Sequence, residues 1–242
     1  MVRAPIRVPL APDLAPATFV DRPNRFLVLA ALEEGQVVEC HLPDPGRLKE
    51  MLVPGRRLLL EPAADPDRRT RWTVRLVEAP PEASGWVSVD TGVPNRLIER
   101  ALRGGALDEL REWALVRREV TRDGSRFDFL LEGPEGDELY LEVKSVTLVE
   151  GGVGLFPDAV TARGARHVRE LTGIVREGGH AAVLFVLQRP DAREIRAARR
   201  IDPDFARALG EAEEAGVRIL GRRCEVTRSA VTLGEPVPAG VG

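Results

Sequence analysis

The sequence changes in character at Pro94, and this change constrains the fold more than any other feature. Before it, short apolar or alternating runs are separated by turns rich in Gly, Pro and Asp, a pattern that predicts strands. Five strands are predicted: Phe26–Leu32, Gln36–Leu42, Arg57–Glu61, Thr70–Val77 and Gly85–Val89. Five strands in about 70 residues favour a small β-barrel, of which the oligonucleotide-binding (OB) barrel is the commonest. Any other small β-domain is the alternative.

After Pro94, predicted helices alternate with predicted strands. The helices are Asn95–Leu102, Ala159–Glu177 and Pro203–Ala215, and glycines follow each of them closely. The strands are 114–121, 126–132, 138–144, His180–Gln188 and Val217–Val226. The run within His180–Gln188 is continuously apolar, as in a strand buried on both faces. This half is therefore predicted to be an α/β or α+β domain.

These patterns divide the chain into four parts. Residues 1–17 are rich in Pro and Ala and are expected to form a loose arm. The barrel is assigned to 18–90 and the α/β domain to 91–228. The Pro- and Gly-rich segment 229–242 is expected to be a disordered tail.

Composition excludes some classes of protein and location. No stretch approaches the roughly 20 apolar residues of a membrane span, and the first residues lack the apolar core of a signal peptide. The two cysteines, Cys40 and Cys224, have no metal-ligand spacing. A reduced, cytoplasmic protein without a membrane partner is the simplest expectation.

Charge gives one useful clue. The net charge is −3, so any nucleic-acid binding has to come from local basic patches. Of 35 basic residues only Lys49 and Lys144 are lysines. Where arginine serves almost every role, a lysine is a candidate for chemistry that the guanidinium cannot perform.

The segment 126–144 predicts a hairpin with polar residues on one face. If the turn is centred on Glu135, Asp128 faces Glu142 and Arg126 faces Lys144. These four side chains then share one face, because residues two apart on a strand point the same way. The intervening residues Phe127, Phe129, Leu141 and Val143 are predicted to point into the core on the other face.

Two facing carboxylates repel each other, and a divalent cation between them would explain the arrangement. Mg²⁺ or Mn²⁺ held by Asp128 and Glu142 could polarise a phosphodiester and activate a water molecule. Lys144 could orient that water or stabilise phosphoryl charge. The alternative is a set of cross-strand salt bridges on a solvated face.

Other residues are weaker candidates. Glu99 shares a helix face with Asn95 and could be a further metal ligand; Glu119 is another acidic candidate. Arg163 and His167 lie four residues apart on a helix and could reach a phosphate. Further basic candidates for a nucleic-acid backbone are Arg68, Arg69, Arg71 and Arg126, and a second cluster comprises Arg193, Arg196, Arg199 and Arg200. A solvated surface is the alternative for each.

Several strings resemble the sugar fermentation stimulation protein A (SfsA) family, over about Arg22–Thr227. The matching pieces are Arg22–Phe26, Val53–Gly55, Pro94–Leu97, Arg126–Phe129, Glu142–Leu148, Leu155–Ala159, Arg163–Gly164, Arg169–Leu171 and Ile201–Pro203. One piece departs from the family, which typically has Pro-Asn-Thr-Gly where this chain has Pro43-Asp44-Pro45-Gly46.

The resemblance implies an OB-like domain followed by a domain similar to PD-(D/E)xK, or restriction-endonuclease-like, nucleases. The nuclease motif then falls on Asp128, Glu142 and Lys144, the residues of the predicted hairpin, and Glu99 corresponds to a helix glutamate that some of these nucleases use. The resemblance also implies DNA binding and a regulatory link to sugar (maltose) metabolism.

Two functional hypotheses follow. The first is a Mg²⁺- or Mn²⁺-dependent nuclease-like protein on DNA, with single-stranded and branched forms among the substrates. The barrel would help to hold the strand, with Trp72, Trp86 and Phe26 as candidate stacking residues. The second is a non-catalytic DNA-binding regulator that keeps the nuclease fold. An enzyme on RNA or a nucleotide, and assembly as a homodimer, are left open.

Overall fold

The protein is described by a computed structural model covering residues 4–65, 67–122 and 124–242. Within this part the strands, in chain order, are β1 Arg7–Pro9, β2 Ala15–Asn24, β3 Leu27–Leu32, β4 Val37–His41, β5 Arg57–Pro62, β6 Trp72–Glu78, β7 Trp86–Ser88, β8 Ala114–Arg122, β9 Ser125–Glu132, β10 Glu138–Val146, β11 Leu148–Glu150, β12 Val153–Phe156, β13 His180–Leu187, β14 Glu194–Ala197, β15 Arg218–Val226, β16 Ala230–Pro236 and β17 Ala239–Gly240. The helices are α1 Gly92–Arg103, α2 Ala162–Arg176 and α3 Pro203–Ala215, with a 3-10 turn at Asp108–Leu110.

The N-terminal strands form the predicted OB barrel. Their order is β4-β3-β2-β5-β6-β7, and an additional pairing of β4 with β6 closes the ring. The barrel encloses its own apolar core, which includes Val28, Cys40, Leu58 and Val74. Strand β7 extends the sheet beyond the closure, so the five strands of the barrel are β2 to β6.

The prediction that residues up to 17 form a loose arm is wrong for the described residues, which exclude 1–3. Ala15–Asn24 is a barrel strand between β3 and β5. Its two prolines hide it from sequence analysis, because a proline cannot donate to a ladder. Pro16 is paired only with β5, and Pro23 lies in a register shift against β3.

The second domain is built on a seven-stranded sheet with the order β1-β16-β15-β13-β10-β9-β8. Strand β13 is its centre, parallel to both β10 and β15. As predicted, β13 is buried on both faces. Its residues Val183 and Phe185 pack on the side of α2 and α3, whereas Ala182 and Leu184 pack on the side of α1.

The prediction of a disordered tail is also wrong. Ala230–Pro236 pairs with β15 on one side and with Arg7–Pro9 on the other. The chain then returns through β17 to a second sheet, with the order β11-β12-β14-β17. One of the two partners of β16, strand β1, lies at the opposite end of the chain, so no local pattern of residues 229–242 indicates that pairing.

Helix α2 begins three residues later than predicted. The Thr161 hydroxyl accepts a hydrogen bond from the Gly164 amide at 3.1 Å and caps the helix. The Thr161 amide in turn donates to Asp202 at 2.8 Å. The residues before Thr161 therefore remain an extended loop.

Direct contacts join the two domains. The Thr91 hydroxyl donates to the Pro43 carbonyl at 3.2 Å, and the Ser88 amide donates to the Gln188 carbonyl at 3.1 Å. Leu59 and Leu76 of the barrel share an apolar cluster with α1. The loop 43–46 is thereby held beside β10. None of the helices in the described ranges is long and apolar enough to span a membrane.

Candidate active site

The predicted hairpin register is confirmed where β9 and β10 pair. Leu139 is paired with Leu131, and Leu141 with Phe129. The ladder ends there, one position before Asp128 and Glu142. Beyond it, the Val143 amide donates to Asp128 Oδ2 at 2.8 Å. A carboxylate replaces the missing strand partner, and the two acidic residues lie at the open end of the hairpin.

One predicted side-chain direction is wrong because the ladder ends early. Phe127 was expected on the core face with Phe129, away from Glu142. Instead its ring packs edge-on against His167, at 5.9 Å between centroids, and joins the core on the α2 side. Phe127 is still paired with Val120 of β8 but lies beyond the last residue of β9 that pairs with β10, so only one neighbouring strand fixes its direction.

Asp128 lies between β10 and helix α1. Asn95 Nδ2 donates to Asp128 Oδ1 at 2.7 Å. Burial, followed by the negative charge of Glu142, raises the pKa of Asp128, while the bonds from Val143 and Asn95 oppose this rise. The bond from Val143, the residue after Glu142, holds Asp128 beside the end of β10 that carries Glu142.

Glu142 is almost fully buried, with 5% of its surface exposed. Its Oε1 accepts hydrogen bonds from Lys144 Nζ at 2.5 Å and from His167 Nδ1 at 2.9 Å. Burial alone would raise the pKa of Glu142, but these two donors outweigh it and the pKa is lowered. Glu142 Oε2 is buried and has no hydrogen-bond partner in the described chain. A buried carboxylate oxygen without a partner is costly unless something else satisfies it.

Lys144 faces the same space as Glu142, but Arg126 does not. Lys144 is paired in register with Phe185 of β13. Arg126 is instead exposed on the edge of the sheet, 3.8 Å from Glu119. The expected position of Arg126 beside Lys144 is wrong, because β9 no longer pairs with β10 at that point.

Helix α2 supplies two of the predicted residues. Arg163 Nε donates to His167 Nε2 at 3.4 Å, which leaves the Nδ1 proton of His167 for Glu142. His167 is only 2% exposed, so it supports Glu142 from behind and cannot also contact a phosphate backbone. Arg163 lines the cleft above the carboxylates.

Glu99 is not brought to the two carboxylates by any contact. Its carboxylate is bound by Arg103 at 3.0 Å and by Arg118 at 2.7 Å. In the described ranges no three or more His, Cys, Asp or Glu side chains are grouped to hold a metal ion. The protein ligands available at this site are therefore Asp128 and Glu142.

The basic loop of the barrel has a partly structural role. Arg68 donates to the carbonyls of Thr70 and Trp72 and to the Thr73 hydroxyl, so its side chain folds back on its own loop. Arg69 and Arg71 are exposed.

The carboxylates lie beside a cleft between the two domains, which has a volume of about 490 Å³. One wall comes from the second domain and includes Asn95, Lys144 and Arg163. The other comes from the barrel and includes Arg25 and Gly46. Sequence reasoning did not assign a role to Asn95 or Arg25, although each lies in a string shared with the SfsA family.

Comparison with known proteins agrees with this two-part architecture. Residues 20–89 match the family model described as the SfsA N-terminal OB domain, and residues 92–230 match the one described as the sugar fermentation stimulation protein RE domain. The chain belongs to the sugar fermentation stimulation protein (SfsA) family. The fold class predicted from the sequence, an OB barrel followed by a restriction-endonuclease-like domain, is confirmed.

Individual SfsA relatives resemble the chain over nearly its full length. A homolog from Moorella thermoacetica is 44% identical over 231 residues, covering 95% of this chain and 98% of the relative. A homolog from Shouchella clausii is 45% identical over 232 residues, covering 95% of this chain and 99% of the relative. The solved structure of Pyrococcus furiosus SfsA in complex with Ca²⁺ has a TM-score of 0.87 at 29% identity, covering 99% of this chain and all of that one.

Proposed function

We propose that this SfsA protein is a divalent-metal-dependent nuclease whose active site is Asp128, Glu142 and Lys144. The observation that carries the proposal is the state of Glu142. Its carboxylate is buried, its pKa is lowered so that it is ionised, and its Oε2 has no partner among the described residues. Such an oxygen fits a cation ligand better than a salt bridge made for stability.

The donor set fits Mg²⁺ or Mn²⁺. These ions take oxygen ligands and often use only one or two carboxylates, leaving positions for water and substrate phosphate. Asp128 and Glu142 would hold the ion. The Pyrococcus furiosus relative was solved with Ca²⁺, another oxygen-seeking divalent ion. When bound, the ion supplies Lewis-acid polarisation of a phosphodiester and activation of water.

The other side chains have supporting roles. Lys144, whose side chain is 13% exposed, can donate to a phosphoryl oxygen from the floor of the cleft. His167 keeps Glu142 ionised and fixes its orientation, and Asn95 does the same for one oxygen of Asp128. Arg163 is placed to bind a neighbouring phosphate.

DNA is the proposed substrate. The OB barrel supplies one wall of the cleft, and this fold commonly binds nucleic-acid strands. Lys144 and Asn95, the partners of the two carboxylates, line the opposite wall, so a strand lying in the cleft would contact both domains.

The test compares wild type with Glu142→Gln, and uses Glu132→Gln, an exposed carboxylate on β9, as the control. Mn²⁺ and Mg²⁺ are titrated by calorimetry, and labelled single-stranded, duplex and branched DNA are then incubated with each protein. We expect Glu142→Gln to lose at least about 10-fold in metal affinity together with all cleavage, because it removes a charged ligand. Glu132→Gln should behave as wild type.

Two results would contradict the proposal. Equal metal affinity in Glu142→Gln and wild type would remove the assigned site. Intact DNA with wild type and metal, combined with tight and salt-sensitive DNA binding, would favour the non-catalytic regulator.

A further inference from the structure

The cleft at the active site continues outwards along the barrel. A second cavity of about 390 Å³ adjoins it and shares Arg25, Pro45, Gly46 and Ala159 with it. We refer to the two together as the interdomain groove. Lys144 lines the inner cavity and Lys49 lines the outer one, so both lysines of the chain line the same groove.

The outer cavity is lined by cations without anionic partners. Arg25, Arg47 and Lys49 are exposed there, and their side chains make no ion pair or hydrogen bond within the ranges the structure describes. Elsewhere on the barrel, Arg57 is paired with Glu78. Unpaired cations along a groove that leads to a phosphodiester-cleaving site suit the phosphates of a substrate.

Arg22 makes this arrangement rigid. Its guanidinium donates to the Arg47 carbonyl at 2.7 Å, the Arg25 carbonyl at 2.9 Å and the Asp44 carbonyl at 3.3 Å. One half-buried side chain thus joins the turn after β2 to the loop 43–47. The cations at positions 25 and 47 are therefore held on a fixed backbone before any ligand binds.

We propose that the outer cavity is a phosphate-binding subsite for an unpaired nucleic-acid strand, with Arg25, Arg47 and Lys49 as the contacts. This inference rests on the proposed function, since the strand would present its scissile phosphate at Lys144 and the flanking phosphates along the outer cavity. The protein is then an enzyme of single strands or unpaired ends. It would not cleave within a continuous duplex.

The dimensions of the groove support a single strand. Cavities of about 300–1,000 Å³ hold molecules the size of one or two nucleotides. Where the two cavities meet, Gly46 packs directly against Asp158, so the barrel closely approaches the second domain. A duplex would have to break this contact. Phe26, which follows Arg25, is 54% exposed and offers a ring on which an unpaired base can stack.

The test measures binding of a fluorescent 12-nucleotide oligothymidylate, and of a 12-base-pair duplex, to the full chain in Ca²⁺ over a range of salt concentrations. The variant is Arg25→Ala/Lys49→Ala. The matched control is Arg176→Ala/Arg228→Ala, which removes two exposed cations that do not line the groove. Thermal unfolding checks that each protein is folded, and calorimetry with Mn²⁺ checks the metal site independently.

We expect the groove variant to bind the oligothymidylate at least about 10-fold more weakly than wild type. The slope of the logarithm of the binding constant against the logarithm of salt concentration should become shallower by about 1.4. The variant loses two phosphate contacts, and each contact to a single strand contributes about 0.7 to this slope. The control should change affinity less than about 3-fold, and wild type should prefer the single strand to the duplex.

Three results would overturn the subsite: unchanged affinity in the groove variant, an equal or larger loss in the control, or wild-type preference for the duplex. The two proposals fail separately. Loss of oligothymidylate binding in the groove variant of a protein that binds no metal would support the subsite and reject the nuclease. Normal metal binding with unchanged oligonucleotide affinity in the groove variant would reject the subsite and support the metal site of the proposed nuclease.

Discussion

At the scale of single residues, the proposed active site depends on keeping a buried carboxylate charged. Removing Glu142 from water favours its protonated form, and only donors placed on it can reverse that preference. Lys144 comes from the same strand, whereas His167 comes from helix α2. Two unrelated elements therefore have to be in place before Glu142 becomes a strong ligand.

This dependence gives a prediction for His167→Phe. Without the Nδ1 donor the pKa of Glu142 should rise, so protons should compete with the metal at a higher pH than in wild type. Mn²⁺ affinity should fall about 10- to 100-fold, with the largest loss below neutral pH. Calorimetric titration of Mn²⁺ into both proteins at pH 6 and pH 8 measures this loss of affinity. An equal loss at both pH values would show that His167 acts only through packing.

Asp44 is a buried acidic residue outside the proposed metal site. It lies in Pro43-Asp44-Pro45-Gly46, the piece of the sequence that departs from the resemblance to the SfsA family. Burial, reinforced by Asp158, raises its pKa from 3.8 to about 6, while the Gly46 amide and Arg22 oppose the rise. Folded protein therefore holds this proton more tightly than the unfolded chain, and stability should decrease as pH rises from about 4 through 6.

We therefore expect Asp44→Asn to stabilise the protein at neutral pH by on the order of 2 kcal/mol. The amide can keep the bond from Gly46 without carrying a charge. The gain in free energy of unfolding should become small near pH 4, where Asp44 is protonated in the folded protein and already partly protonated in the unfolded chain. Urea denaturation at pH 4, 5.5 and 7.5 checks this; a gain independent of pH would assign it to another cause.

At the scale of elements, the loop 43–46 sets the width of the groove. A Cβ on Gly46 would lie 2.1 Å from Asp158 Oδ2, so only glycine allows this approach. Gly46→Ala should cost about 1–3 kcal/mol of stability by overpacking. Gly173→Ala is the control: its Cβ would meet nothing within 4 Å, and it should slightly stabilise α2.

Denaturant unfolding of these variants checks the contact, and Asp158→Ala completes a double-mutant cycle. Because it removes the clashing carboxylate, it should recover most of the loss caused by Gly46→Ala. Additive effects of the two substitutions would show that the loop does not rest on Asp158.

The elements also show what local sequence can predict. The hairpin β9–β10 has alternating residues and a turn, and both its register and its acidic pair follow from the sequence. Phe127 does not follow, because its direction depends on where pairing stops. Glu99 has the right helical spacing for the site but is bound by Arg118 of a neighbouring strand, which only the folded sheet reveals.

At the scale of the whole molecule, the second domain is assembled from both ends of the chain. Val8 of β1 is 5% exposed and lies opposite Val231 of β16. Sequence analysis missed both strands, since β1 has three residues and its partner is more than 220 residues away. Sequence analysis also missed the groove. Arg25 and Lys144 line one cleft only when the barrel packs against the second domain.

Val8→Ala tests the contribution of this pairing. Removing two buried methyl groups should lower the free energy of unfolding by about 1–3 kcal/mol. Val20→Ala, at a site 40% exposed, should change it by less than about 0.5 kcal/mol. Thermal and urea unfolding measure both. Equal effects would mean that β1 is not part of the cooperative core.

The pairing of β1 with β16 also fixes an order of events on the ribosome. Strand β1 is synthesised before the barrel, and its partner follows about 220 residues later, roughly 10–45 s at ordinary rates of translation. The barrel strands all lie between them and can close in the meantime. The seven-stranded sheet can be completed only after both the barrel and most of its own strands have emerged, so β1 is made before the barrel but pairs with β16 after it.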